Sequence, residues 1–322
     1  MLKEISMEVI RKCPNRCLHC SSFSTENCTE IIPLSKFKEV VSGAKSLGLE
    51  TICFSGGEPF LHPDIIEMID YVYSSGLNSY IYTSGVWMNS EKEVGPIPET
   101  IIKSISGKVT KIIFNIEAAE EKVYDEIMGT HGNFQFLKKS IMSVVKNKIL
   151  VEGHFVPMKI NINQIEKTLE FCEKLGVSKM SFLRLVIHGR AVENKEKIGL
   201  SDIELRKVEN ILLKIRENNT HPIRIGVPLL GETQESHCEA ANGKLNIRYD
   251  GKVFPCEVFK NNKVYILNDK VPGNIFDHPI EDIYLTSDYL KEVREIVKKF
   301  SCENDCENCI GQYYMKLSEG EQ

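Results

Sequence analysis

An alternation constrains this chain more than any other feature. Short runs with strand character recur through the first two-thirds of the sequence, and most are followed by a stretch whose apolar residues repeat at helical spacing. Lys3–Ile10, Thr51–Phe54, Tyr80–Tyr82, Lys111–Ile116, Val151–Val156 and Lys179–Leu185 read as strands. A helix capped by Ser35 runs to Leu47 and is closed by Gly48; Asp64–Tyr73, Glu120–Ile127, Phe136–Lys146, Ile165–Lys174 and a helix capped by Ser201 and running to Arg216 also read as helical. Strands separated by helices must pair in parallel through right-handed crossovers, which predicts an α/β fold. Six strands are fewer than the eight of a closed barrel, so the expectation is an open, partial (β/α)6 barrel with its active site at the carboxyl ends of the strands.

The pattern changes from about Gly231. Lys244–Tyr249 and Lys252–Pro255 flank Asp250-Gly251, which predicts a β-hairpin with a type I′ turn. Ser287–Lys299 reads as a helix, and a cysteine-rich tail follows. With the boundary in His221–Gly231, residues 1–225 are expected to form the barrel unit and residues 226–322 a small hairpin-plus-helix unit.

A net charge of −5 argues against a basic surface for nucleic acid. No window is apolar enough to span a bilayer, and the N-terminus lacks a signal-peptide core, so the expected location is the cytoplasm. That setting decides how eleven cysteines are read, because clustered thiols in a reducing compartment point to metal or catalysis rather than disulfides. Cys28, Cys53 and Cys172 stand apart from the clusters and read as structural.

Cys13, Cys17 and Cys20 have C-x3-C-x2-C spacing directly after the first strand. Three thiolates on one loop can ligate three corners of a 4Fe–4S cubane and leave the fourth iron open to a chelating ligand; zinc or three structural thiols are the alternatives. After the second strand comes Ser55-Gly56-Gly57-Glu58-Pro59, whose glycines admit close backbone approach and whose acid offers an anionic acceptor. A plain turn entering a helix would use the same residues.

This spacing and this motif resemble the radical S-adenosylmethionine (SAM) superfamily. The resemblance spans roughly Leu2 to Glu193 and continues in order through Thr83-Ser84-Gly85, Asn115-Ile116-Glu117-Ala118, Asp125–Gly129 and His188-Gly189-Arg190. Ser84 stands where many members have Asn. The resemblance implies a cluster on Cys13, Cys17 and Cys20 whose open iron is chelated by SAM. It implies that Gly56, Gly57, Glu58 and Pro59 hold the SAM amino group, and it leaves a polar contact to Ser84. Asn115 and Glu117 could bond the ribose hydroxyls or simply end a strand and cap a helix. Arg184 could pair with the SAM carboxylate, whereas Arg190 is expected to be solvated.

The tail resembles the SPASM or twitch extension of that superfamily, with Cys238, a glycine in the hairpin, Cys256, and then Cys302, Cys306 and Cys309. Five cysteines are too few for the two clusters of a full SPASM unit, so one auxiliary 4Fe–4S cluster on Cys238, Cys256, Cys306 and Cys309 is expected, with Cys302 as an alternative ligand. Zinc also suits four thiolates. A free Cys302 near the active site would be a candidate hydrogen-atom donor. The family reading implies reductive cleavage of SAM to a 5′-deoxyadenosyl radical that takes a hydrogen atom from the substrate, fed by a flavodoxin or ferredoxin. The substrate expected is a ribosomally made peptide, to be crosslinked, joined by a thioether or epimerised. No peptide-recognition domain is seen ahead of Cys13, so a separate recognition protein or direct leader binding is expected. A sugar, aminoglycoside or nucleotide substrate is the enzymatic alternative, and a non-enzymatic iron–sulfur or zinc protein the other.

Overall fold

The computed structural model describes residues 1–218, 221–226, 229, 238–260, 270–300 and 309. Its strands are β1 (Glu4–Ile10), β2 (Thr51–Gly56), β3 (Asn78–Thr83), β4 (Val86–Met88), β5 (Val94–Pro96), β6 (Lys111–Asn115), β7 (Val151–Phe155), β8 (Lys179–Phe182), β9 (Ile223–Ile225), β10 (Lys244–Ile247) and β11 (Val253–Phe254). The helices are α1 (Leu34–Ser46), α2 (Ile65–Ser74), α3 (Glu99–Ile105), α4 (Glu121–Met128), α5 (Asn133–Lys146), α6 (Ile165–Leu175), α7 (Arg190–Glu193), α8 (Lys195–Ile198), α9 (Asp202–Asn218), α10 (Ile280–Thr286) and α11 (Asp288–Phe300).

Nine strands form one sheet in the order β11-β10-β1-β2-β3-β6-β7-β8-β9, and every pairing is parallel except β10 with β11. β4 and β5 pair separately as an antiparallel hairpin. All six strands expected from the sequence are present, in a mixed α/β fold whose sheet does not close. The sheet gains a seventh parallel strand, β9, beyond β8, and an eighth, β10, beside β1. The C-terminal hairpin therefore extends the main sheet: Glu4 pairs with Lys244 and Ser6 with Asn246.

Alternation along the strands sets the two faces. Ile5, Met7 and Val9 of β1 are buried in the hydrophobic core, as is Phe54 of β2, which stacks on Phe37 of α1 at 5.5 Å. The other face of β1 carries Glu4, Ser6 and Glu8, and that of β10 carries Lys244 and Asn246. The inner face of the sheet is thus polar, while the face under the helices supplies the core.

Two local expectations are corrected. Ser35 does not cap α1, because the helix starts at Leu34 behind Pro33 without a side-chain cap. The hairpin turn is not type I′: Gly251 has φ +82°, but Asp250 is not left-handed. Arg248 accepts from the Gly251 N–H at 2.8 Å and donates to the Lys252 carbonyl at 2.9 Å, a three-residue loop with glycine at the bulge. Ser201 does cap α9, and Glu204 reaches back to the Ser201 N–H at 2.8 Å as a capping box.

Candidate functional site: a three-cysteine loop at the mouth of the sheet

Cys13, Cys17 and Cys20 lie on the loop leaving β1. Burial raises the Cys13 and Cys17 thiols well above their ordinary range, and the three sulfurs interact electrostatically with one another, which places them around one small volume. Among the described residues, no three His, Cys, Asp or Glu side chains close round a single metal ion. Three thiols on one loop suit three corners of a cubane, with the fourth iron left to another ligand. Iron binding replaces the thiol protons that burial otherwise retains on Cys13 and Cys17.

The loop is moulded by its neighbours through the backbone. Gly57 donates to the Ile10 carbonyl at 2.7 Å and Glu58 to the Lys12 carbonyl at 2.9 Å. A Cβ on Gly57 would collide with the Lys12 carbonyl, so the glycine is required by this approach. The C-terminal carbonyls of α4 accept from the other side: Ile127 from the Leu18 N–H at 2.8 Å and Met128 from the Arg16 N–H at 3.0 Å. These are groups a helix end leaves without internal partners. Gly129, left-handed at φ +64°, ends α4 and lies against the Arg16 carbonyl. Asp125 of the same stretch turns forward, accepting from the Gly132 N–H at 2.5 Å at the start of α5.

Arg190 is the residue the sequence reading placed wrongly. It is 7% exposed, not solvated. Its guanidinium donates to the carbonyls of Cys17 at 2.9 Å and Ser24 at 3.0 Å, and its backbone N–H donates to Cys20 at 2.9 Å. Asn194 adds a bond to the Leu18 carbonyl at 3.1 Å. Gly189, at φ +59°, lets this segment press against the backbone of Cys20 and Ser21. Only the Gly-Arg pair hinted at the role, because an arginine that reads carbonyls leaves no side-chain motif.

Glu58 sits fully buried at the end of β2. One oxygen accepts from the Thr83 hydroxyl at 2.7 Å, and the other from the Ser84 hydroxyl at 2.7 Å and the Ser84 N–H at 3.0 Å. Burial pushes its carboxyl up to about 7, against the pull of these bonds. Ser84 therefore orients the acid with its hydroxyl. Pro59 opens the short turn behind Glu58, whose side chain accepts from the Phe60 N–H. His62 belongs to that turn through Ile32 and Asp64.

Asn115 ends β6, and Glu117 follows, 0% exposed. One Glu117 oxygen accepts from the Val156 N–H at 2.8 Å; the other faces His19 Nε2 at 3.5 Å. Burial raises Glu117 to about 8 and lowers His19 to about 4, so near neutral pH the two are an uncharged pair, not an ion pair. Glu117 Oε1 and His19 Nδ1 have no hydrogen-bond partner. Buried polar atoms left unpaired beside the cysteine loop fit a hydroxyl-bearing ligand seated there. Arg184 is half-buried just past β8.

In the C-terminal segment, Cys256 follows β11. Burial is the main cause of its raised thiol, and Cys238 and Cys309 lie near enough to add to it. Three of the four expected auxiliary ligands are therefore brought together; Cys302 and Cys306, and His237 beside Cys238, lie outside the described residues. Cys53 and Cys172 are fully buried, in keeping with a structural role.

These features have counterparts in known proteins. Residues 7–172 match the model of the radical SAM superfamily, and the chain belongs to that family. Residues 238–310 match the SPASM family, described as an iron–sulfur cluster-binding domain. The two domains imply 4Fe–4S clusters and S-adenosylmethionine as cofactors. A curated relative, AdoMet-dependent heme synthase of Methanosarcina barkeri, is 24% identical over 312 residues, 90% of this chain and 84% of its own. Streptococcus suis SuiB bound to S-adenosylmethionine superposes with a TM-score of 0.76 at 16% identity over 99% of this chain and 74% of that one. The enzyme anSMEcpe with bound AdoMet gives a TM-score of 0.66 at 16% identity, over 91% of this chain and 79% of that one. No helix among the described residues is long and apolar enough to cross a membrane.

Proposed function

We propose that this radical SAM enzyme modifies a peptide. Cys13, Cys17 and Cys20 hold the first cluster. Gly56, Gly57, Glu58 and Pro59, with Asn115, Glu117 and Arg184, seat SAM, and Ser84 acts on it through Glu58. Cys238, Cys256, Cys306 and Cys309 hold the auxiliary cluster, on a unit spanning residues 226–322 against a barrel unit of residues 1–225. The bound cluster and SAM supply one-electron cleavage of the sulfonium and a hydrogen-abstracting 5′-deoxyadenosyl radical, with electrons from a flavodoxin- or ferredoxin-type donor. The protein's own work is to fix the loop through Arg190 and Gly57, present Glu58 to the amino group and Glu117 to the ribose, and orient the substrate while excluding water.

The observation that carries the peptide reading is the charge balance of the inner face. Lys244 is held by Glu4 at 2.9 Å and Glu257 at 3.5 Å, Lys111 by Glu152 at 2.5 Å, and Lys260 by Glu8. Cations already neutralised in this way suit an uncharged polar chain. Two structural neighbours carry peptides as well, SuiB its precursor peptide SuiA and anSMEcpe the peptide Cp18Cys. The heme synthase relative favours a second reading, a tetrapyrrole substrate. A molecule with several carboxylates would call for unpaired cations on that face. The test is anaerobic incubation of reconstituted enzyme with SAM, dithionite and any short peptide found encoded beside its gene. A mass change in the peptide with release of 5′-deoxyadenosine supports the reading; turnover of a carboxylated porphyrin instead would replace it.

A further inference from the structure

Four of the unpartnered buried polar atoms gather where β1 and β10 meet the residues that follow the cysteine loop: Glu8 Oε2, both amide atoms of Asn246, and His188 Nδ1. Asn246 pairs across strands with Ser6, and Glu8 lies two residues farther along the same face of β1. The Ser6 hydroxyl bonds Glu257. The other Glu8 oxygen accepts from Ser22 at 2.6 Å and from Lys260, which also reaches Ser22 at 3.2 Å. Lys260 and Glu257 are also the charges nearest His188, which burial lowers to about 3 and leaves neutral. Six side chains from β1, β10, the segment after Cys256 and the loop before α7 thus converge on one spot.

Water reaches its edge. Lys244 and Glu257 are enclosed by other charged groups and by Tyr82, yet they keep 32% and 40% of their side-chain surface accessible. Tyr82, in the middle of the sheet, is also partly wetted. Side chains that are surrounded and still wet line a recess. It lies on the inner face, on β1 and β10 and beside the turn that follows Cys256. Asn246, 0% exposed, lies behind this wetted edge, beside the Ser6 that bonds Glu257.

An unpartnered asparagine amide offers a donor and an acceptor side by side, and the complementary group is another amide. We propose that this recess anchors the substrate through a peptide amide. Asn246 Nδ2 donates to the substrate carbonyl, and Asn246 Oδ1 accepts from the substrate N–H. Glu8 Oε2 accepts from a further N–H, and the ligand turns Glu257 aside as it enters. The inference rests on the peptide reading and narrows it to particular residues.

The experiment compares reconstituted wild-type protein with Asn246→Leu by thermal unfolding, with N-acetylglycinamide at 50 mM as the amide probe and methyl glucoside as the polyol control. Removing an amide that has no partner should raise the ligand-free midpoint by about 2 °C. The diamide should raise the wild-type midpoint by about 2 °C and leave the variant unmoved. A variant that melts lower than wild type while keeping its iron shows that Asn246 is bonded in the free protein, and overturns the seat. If the variant does not fold, Asn246→Ala, with iron content and far-UV CD as folding controls, must abolish the diamide shift, and a retained shift overturns the proposal. A shift with methyl glucoside alone overturns the amide assignment and the peptide reading with it, while the recess stands. No shift with either compound overturns the anchor but leaves the peptide assay above as the independent test of the function.

Discussion

Arg190 shows how much one side chain can organise without touching a reacting atom. Its guanidinium bonds the backbone carbonyls of Cys17 and Ser24, and truncation removes that charged donor from both, leaving the Cys17 carbonyl only the Cys20 N–H at 3.2 Å. Bonds to a charged donor contribute about 1.5–3 kcal/mol each. Arg190→Ala should therefore lose iron from the first cluster while the C-terminal cluster survives, read as iron per chain and by EPR. Arg190→Lys keeps the charge but not the fork and should recover little. Glu152 makes a prediction about acid. Burial by itself would raise its carboxyl, but bonds from His154, Lys111 and Ser181 outweigh that and hold it well below the usual carboxylate range. A depressed folded pKa stabilises above the unfolded value, about 4.3, and that stability is lost as the pH falls through the folded one. His154, kept neutral mainly by burial, penalises acid in the same direction. Urea midpoints should drop steeply below about pH 4.5, and Glu152→Gln should flatten that slope.

At the scale of elements, two glycines separate conformation from close approach. Gly76 has φ +74° with open space where a Cβ would sit, whereas a Cβ on Gly57 strikes the Lys12 carbonyl. Gly76→Ala should cost only about 1 kcal/mol of backbone strain. Gly57→Ala must displace the cysteine loop, and it should abolish the first cluster, read by iron content, at a larger loss of thermal midpoint. The six strands that carry the motifs were legible because most of them pair a β-rich run with a helical repeat. β9 was not, since three residues behind Pro222 carry too little pattern, and it forms because β8 offers an open edge to Ile223–Ile225. The turn at Asp250 misled because a bonded Arg248–Asp250 pair favours a longer loop than Asp-Gly alone suggests. Cys13, Cys17, Cys20 and Glu58 announced themselves by spacing. The bonds that Thr83, Arg190 and Asn194 make were not legible, because their partners are distant in sequence.

At the scale of the molecule, the place of β10 beside β1 was invisible to local reading, since it depends on two segments at opposite ends of the chain finding a common register. It yields a further prediction. Ending the chain at residue 225 would remove β10 and bare the edge of β1, with its row of unpaired amides. The truncated protein should aggregate, seen as loss of the monomer peak in size-exclusion chromatography; a stable monomer would show that the two parts fold independently.

That same pairing fixes a distance. The loop bearing Cys13 leaves β1 and the turn bearing Cys256 leaves the hairpin joined to it, so a ladder of strand hydrogen bonds, not the long connection between them, sets how far apart two iron centres can stand. Residues inserted or lost in the stretch leading from β8 to β10 would leave that gap unchanged. The outer loops can therefore be remodelled without moving one centre relative to the other.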